Sequence, residues 1–151
     1  IVIKEAYGSF GDQVYLVQTR KELVEMRNKL HQIPHLYQEF IKSSKGRDVR
    51  VHVVGDKVVA SMLRTSETDF RANVTNGGTM HKYVLPKEFE ELAIKASKII
   101  GADFSGVDLL FGEEEEPILC EVNSNAHIKN IYDCTGIDVT EHIFDYILRM
   151  V

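Results

Sequence analysis

Asp108, Glu121 and Asn123 have the residue types of an oxygen-donor set. They stand in two segments, Ser105 to Phe111 and Pro117 to Val122, that read as strands flanking an acidic turn. Closing that hairpin with Phe111 against Ile118 puts Asp108 opposite Glu121. Side chains alternate faces along a strand. Val107, Leu109 and Phe111 then share one face with Ile118, Cys120 and Val122, while Asp108 shares the other with Glu121 and Asn123. Like charges opposed across a sheet are destabilising by roughly 0.2–1 kcal/mol. A hard divalent cation offsets that repulsion, and an Asp/Glu/Asn set suits Mg²⁺ or Mn²⁺ rather than zinc. A solvated face in a register shifted by one residue is the plainer reading of the pair taken alone.

Other residues supply the complementary charge. Gly8 and Gly11 bracket Ser9-Phe10 in a loop whose backbone N–H groups can approach an anion closely. It is not a Walker loop, which needs Gly-Lys-Ser/Thr at the start of a helix. Lys4 ends the strand before it, Arg50 alternates with valines, Arg64 ends a later strand, and Arg71 and Asn73 sit in an irregular segment. Each alone reads as an ordinary surface or loop residue. Together with a metal they form the inventory for phosphoryl transfer, where catalysis is mainly positioning and charge neutralisation. His31 and His35 lack the carboxylate partner and helical spacing of a zinc site, no GxSxG elbow is present, and the sequon Asn73-Val74-Thr75 reads as chance.

The elements that must position these groups follow from periodicity. Strands are predicted over Ile1 to Glu5, Gln13 to Gln18 and Leu36 to Ile41, with a flexible loop from Ala6 to Asp12. Thr19 and Glu22 form a capping box for a helix whose Leu23, Met26 and Leu30 share a face. Val49, Val51 and Val53 alternate with Arg50 and His52, and Gly55-Asp56 turns this strand into Lys57 to Arg64, a hairpin. Thr65 to Lys82 is expected to be a long loop. Pro86 opens a helix burying Phe89, Leu92, Ala93, Ala96 and Ile99, stopped by Gly101, and a last helix is predicted over Asp138 to Met150. Short strands joined mostly as hairpins, with helices between them, predict an α+β fold with largely antiparallel sheet.

Composition narrows the function classes. The 151 residues suit one compact domain. A net charge of −5 offers no basic footprint for nucleic acid. No apolar run approaches the ~20 residues of a membrane-spanning helix, so neither nucleic acid nor a membrane is an expected partner. Cys120 and Cys134 form no CxxC motif, which predicts a reduced, cytoplasmic setting. The run Glu113 to Glu116 reads as a solvated turn. Ile1-Val2-Ile3 opens the chain on a buried-strand pattern, as expected of a segment cut close to a structural element.

Ile1-Val2-Ile3-Lys4 with Gly8-Ser9-Phe10-Gly11, Gln38-Glu39-Phe40-Ile41 and Gly46-Arg47-Asp48-Val49-Arg50 resemble ATP-grasp ligases. Asp69-Phe70-Arg71-Ala72-Asn73, Gly106-Val107-Asp108 and Glu121-Val122-Asn123 resemble the RimK-like branch, whose enzymes add glutamate to a carboxyl terminus. The likeness runs in order across nearly the whole chain. It departs at Gln13, where many relatives have glycine, and at Ser124-Asn125-Ala126-His127, where a Ser-Pro-Gly is common.

The resemblance implies two α+β subdomains clasping ATP. Residues 1–45 would be part of the nucleotide-clasping subdomain and 46–151 the subdomain with the metal site. Lys4, the flap residues Gly8, Ser9 and Gly11, Glu39 and Phe40 at the adenine hinge, Asp48 on the ribose, and Arg71, Ala72 and Asn73 would bind the nucleotide. Asp108 and Glu121 would hold one Mg²⁺, Glu121 and Asn123 a second, and Arg64 or Arg71 would stabilise an acyl phosphate. Implied partners are ATP, an amino-acid amine donor and a carboxylate acceptor on a protein terminus or small molecule; a homo-oligomer is compatible with such an enzyme. An ATP-binding regulatory or scaffold module without catalysis is the alternative.

Overall fold

The computed structural model describes residues 1–8 and 11–151, with Asn76 described by its backbone alone. In chain order it contains β1 (Val2–Glu5), β2 (Val14–Leu16), α1 (Arg20–Lys29), β3 (His35–Gln38), β4 (Arg47–Val54), β5 (Lys57–Thr65), β6 (Thr79–Lys82), α2 (Lys87–Ile99), β7 (Phe104–Phe111), β8 (Pro117–Asn123), α3 (Lys129–Thr135) and α4 (Val139–Met150). The strands form two antiparallel sheets, a small one ordered β2-β1-β3 and a large one ordered β6-β5-β4-β7-β8.

Helix starts follow local chemistry. Thr19 accepts a hydrogen bond from the Glu22 amide at 3.2 Å, and Glu22 accepts one from the Gln18 amide at 2.8 Å, closing the box that opens α1. Val17, Ile3 and Leu30 form the small sheet's core, with Leu23 and Met26 of α1 packed on it. Pro86 precedes α2, which lays Phe89, Ala93 and Ala96 on Val49, Val51, Val53, Val107, Leu109 and Phe111. Each of the buried valine, leucine and phenylalanine side chains contributes about 1.5–3 kcal/mol, and each alanine methyl less. The period of two that buries Val49, Val51 and Val53 under α2 turns Asp48, Arg50 and His52 to the opposite face. There α3 and α4 cover only one end, through Ile131, Val139 and Ile143 on Val54, Ala60 and Met62.

The link between the sheets is tight. Gly46 has φ of +69°, and a Cβ there would stand 2.4 Å from the Ser66 carbonyl oxygen. Its N–H donates to Phe70 O at 2.9 Å and its carbonyl accepts from Ser66 N at 2.7 Å. Only glycine tolerates this left-handed conformation at such an approach.

Several expectations are corrected. The predicted loop Thr65 to Lys82 ends in strand β6, a polar edge strand whose Thr79-Met80-His81-Lys82 carries too little apolar alternation to read as one. β3 ends at Gln38, so Glu39, Phe40 and Ile41 leave the sheet. Helix α3 was absent from the periodic pattern because it is seven residues long and buries only Ile131. The β7–β8 hairpin does not close symmetrically: Leu110 pairs with Ile118 and Phe111 with Pro117, and the register slips one residue at Cys120. Among the described residues no helix is long and apolar enough to cross a membrane.

Candidate active site

The open middle of the large sheet carries its charged residues in rungs. Arg64 pairs with Asp48 on one; Met62, Arg50, Asp108 and Glu121 align on the next; Ala60, His52, Gly106 and Asn123 align on the third. Asp108 therefore stands opposite Glu121, by way of the bulge at Cys120 rather than a symmetric turn.

The repulsion inferred from that juxtaposition has an answer within the chain. Asp108 is 5% exposed and is gripped by Arg50, through Nε on Oδ1 and Nη2 on Oδ2 at 2.7 Å, and by Arg64 Nη2 at 3.1 Å. Arg64 also forks onto Asp48, with Nε to Oδ1 at 2.6 Å and Nη2 to Oδ2 at 2.9 Å. Burial pushes the Asp48 carboxyl up to about 6, against the pull of Arg64. Burial also works against the Asp108 charge, but Arg64 and then Arg50 outweigh it and hold the carboxyl down at about 2. Asp108, with two guanidinium partners, is the member that stays charged; Asp48, with one, takes a proton first on acidification.

Glu121 has different company. Its side chain is 46% exposed, with Lys4 Nζ at 3.6 Å, and Asn123 Nδ2 donates to its Oε1 at 3.0 Å. Lys4 Nζ also donates to Cys120 Sγ at 3.5 Å. The sequence placed Cys120 on the core face; the bulge turns it into the cleft. Burial pushes its thiol up, although Lys4 opposes this, so it is no ready thiolate nucleophile.

A third cluster comes from the segment after β5. Arg71 forks onto Asp69, with Nε to Oδ1 at 3.0 Å and Nη2 to Oδ2 at 2.7 Å, and its Nη1 donates to Gly11 O. Its guanidinium also lies over the Phe70 ring, and Phe70 meets Phe40 edge-on at 6.1 Å. This ties the loop containing Gly11 to a residue 60 positions away.

All of these meet in one cleft of about 970 Å³ between the two sheets. Lys4, Gly8, Gly11, Glu39 and Phe40 line it from the small-sheet side and its hinge. Asp48, Arg64, Arg71, Ala72, Asn73, Asp108, Glu121 and Asn123 line it from the large-sheet side. Ser9, predicted to bind phosphate, lies outside the described residues.

The donor set fits a hard divalent cation. Glu121 and Asn123 offer side-chain oxygens two residues apart on one edge of the cleft. A carboxylate has about four acceptor sites. Among the described residues Asp108 Oδ1 takes one donor and Oδ2 two, which leaves a lone pair on Oδ1. No cluster of three or more His, Cys, Asp or Glu side chains occurs among the described residues, so an amide oxygen would have to complete the set.

Gln38 and His52 are among the lining residues that escaped the sequence reading of the site. Gln38 Nε2 reaches Cys120 Sγ at 3.9 Å. His52 is 2% exposed, lines the cleft, and its buried Nε2 has no hydrogen-bond partner among the described residues. Burial, then the Arg50 charge, holds its imidazole down at about 4, so the ring is neutral at pH 7. An unsatisfied buried polar atom costs about 1–3 kcal/mol. The signal was present: the alternation in Asp48-Val49-Arg50-Val51-His52 puts His52 on the face of Asp48 and Arg50.

Comparison with solved structures defines the fold. The ATP-grasp ligase PsnB, in complex with a phosphomimetic variant of a minimal precursor, Mg and ADP, matches with a TM-score of 0.73 at 19% identity, over 98% of this chain and 45% of that one. The D-alanine–D-alanine ligase from Bacillus anthracis complexed with ATP matches with a TM-score of 0.68 at 17% identity, over 99% of this chain and 52% of that one. The fold is that of the ATP-grasp ligases. The model of the RimK-like ATP-grasp domain matches residues 1–147, and the chain belongs to that family. It is 36% identical over 154 residues to N-acetylaspartylglutamate synthase A of Homo sapiens, covering 100% of this chain and 39% of that protein. It is 40% identical over 141 residues to the "probable alpha-L-glutamate ligase" of Histophilus somni (strain 2336), covering 91% and 47%. The chain thus spans less than half the length of these two relatives.

Proposed function

We propose that the chain forms the ATP-binding core of a carboxylate–amine ligase that joins an amino acid such as glutamate to a carboxylate on a protein terminus or a small molecule. One observation carries the reading: every described residue predicted to touch nucleotide or metal lines the same cleft. The names of the relatives, a glutamate ligase and a synthase of a glutamate-containing product, support the amino acid.

In this reading residues 1–45 clasp the nucleotide and 46–151 carry the metal-binding side. Glu39 and Phe40 border the base, Asp48 the ribose, and Lys4 with the Gly8–Gly11 loop the phosphates. Glu121 and Asn123, with the spare lone pair of Asp108, would hold Mg²⁺, which when bound neutralises charge on the phosphate oxygens. The substrate carboxylate oxygen attacks the γ-phosphorus of ATP; the bond to the bridging oxygen breaks and ADP leaves. An amine nitrogen then attacks the acyl carbon, phosphate departs with its oxygen, and the nitrogen loses a proton. Arg64 and Arg71 supply fixed positive charge beside the acyl phosphate, and no protein nucleophile is needed.

The test is phosphate release from Mg-ATP by the intact protein, with L-glutamate and candidate acceptors added together and singly, followed by mass spectrometry. Release that requires both additions, with an acceptor mass gain of one dehydrated glutamate, is expected. Mg-ATP binding without release under any pair would support the scaffold alternative. Unchanged amide-forming turnover in both Arg64→Ala and Arg71→Ala would remove those residues from the mechanism.

A further inference from the structure

His52 stands one rung beyond the Arg50, Asp108 and Glu121 row, on the same face of the large sheet. Two residues along a strand is about 7 Å. The Asp48 rung lies on the other side of that row, where β4 begins next to the hinge. His52 is therefore at the end of the cleft away from the proposed nucleoside position. Gly106, the ladder neighbour of His52, leaves a gap over this rung that Ala126 enters: a Cβ on Gly106 would stand 2.4 Å from Ala126 Cβ. The loop after β8 descends into that gap, and Asn125, His127 and Ile128 line the cleft there, with Val139 and Ile143 of the α4 segment.

We infer that His52 is the floor of a substrate subsite and that its Nε2 donates a hydrogen bond to a substrate carboxylate other than the one being activated. The inference rests on the ligase reading above and specifies what that reading leaves open, namely how the enzyme recognises its acid. The observation that carries it is a buried Nε2 with no partner among the described residues, on a side chain that lines the cavity. Arg50 and Arg64 beside the ring are already paired with Asp48 and Asp108, so the choice of ligand rests on the donor itself: a protonated Nε2 is matched by a carboxylate oxygen and not by an ammonium group. The neutral ring is too weak a base to deprotonate an attacking ammonium, so its role is recognition rather than proton transfer. The carboxylate belongs either to the amine donor or to the acceptor.

Calorimetry on the intact protein separates these. AMPPNP with Mg²⁺ is titrated first into the wild type; failure to bind overturns the ligase reading itself. The nucleotide-saturated protein is then titrated in two arms, L-glutamate against L-norvaline, and N-acetyl-L-glutamate against N-acetyl-L-norvaline, each pair differing by the side-chain carboxylate. At least tenfold preference for the carboxylate is expected in one arm, and that arm identifies its source. His52→Leu should reduce the preference to less than threefold, while His52→Asn, which keeps a donor, should retain part of it. Nucleotide binding without any carboxylate preference in the wild type, or a preference that survives His52→Leu in the arm that shows it, would overturn the role of His52 and leave the ligase reading standing.

Discussion

The two sheets hold their charged residues in opposite ways. On the large sheet Asp48, Arg64 and Asp108 are each under a tenth exposed, and with Arg50 they form one continuous run of forked ion pairs. On the small sheet Lys4 reaches across to a half-exposed Glu121 at 3.6 Å, and its core is little more than Ile3, Val17 and Leu30. Described polar bridges between the sheet regions are few, including Lys4 to Cys120, Gln38 to Cys120, and Arg71 to Gly11. A buried network is fixed by what removing any member would cost, whereas an exposed pair rearranges at little cost. The large sheet thus presents a set charge pattern, and the small sheet can adjust over it.

Breaking the buried network is expected to have the largest effect. Arg64→Met strips Asp48 of its fork and Asp108 of one partner, leaving buried carboxylates uncompensated. Urea unfolding should show a loss of about 3–5 kcal/mol. A loss below 1 kcal/mol would mean the network is hydrated and the contrast with Lys4 is false. Next comes the small sheet's own core. Leu30→Ala removes a fully buried side chain and should cost about 2–4 kcal/mol. Native-state hydrogen exchange should show it locally, speeding β1 and β3 amides while those of β4 and β7 keep their protection.

The third prediction concerns pH. His52 has a folded pKa of about 4 against an ordinary 6.5. Between those values the unfolded chain binds more protons than the folded one, so stability falls as pH drops from about 6.5 to about 4. A shift of that size corresponds to at most about 3 kcal/mol. His52→Leu keeps Asp48, Asp108, Arg50 and Arg64 but removes this titration, so the wild type should lose stability relative to it over that window. Parallel curves for the two proteins would show that the imidazole is not held neutral.

Alternation made much of this legible beforehand. Val49, Val51 and Val53 announce a strand with one buried face, and Thr19 with Glu22 announces α1, because both signals are local. The pairing of Asp108 with Glu121 was legible only in part: counting from a symmetric turn reached the right partner by the wrong route. At the bulge the Cys120 thiol meets Lys4 and Gln38 from the other sheet, and no local pattern encodes those contacts. For the same reason the sequence suggested a cation as the answer to the carboxylate repulsion. The arginines that grip Asp108 come from β4 and β5, and their convergence is set by strand order. Strand β6 and helix α3 were hidden by polarity and by shortness, respectively.

The smallest expected change in stability is also the sharpest test of the contrast. Lys4→Met keeps the length and the apolar stem that packs in β1 but removes the charge. The Lys4 side chain is 18% exposed and its Glu121 partner 46%, so solvent screens the pair and its loss should change unfolding free energy by less than about 1 kcal/mol. If the small sheet supplies a cation to phosphates that pass between it and Glu121, the same substitution should weaken Mg-ATP binding at least tenfold. It should do so mainly through faster dissociation, since the contact forms after the nucleotide enters. A large change in ligand affinity with almost none in stability is the mark of a residue placed for a guest rather than for the fold. The reverse, a destabilised protein with unchanged Mg-ATP affinity, would assign Lys4 to holding β8 in place and return the phosphate contacts to Arg71 and the Gly8–Gly11 loop.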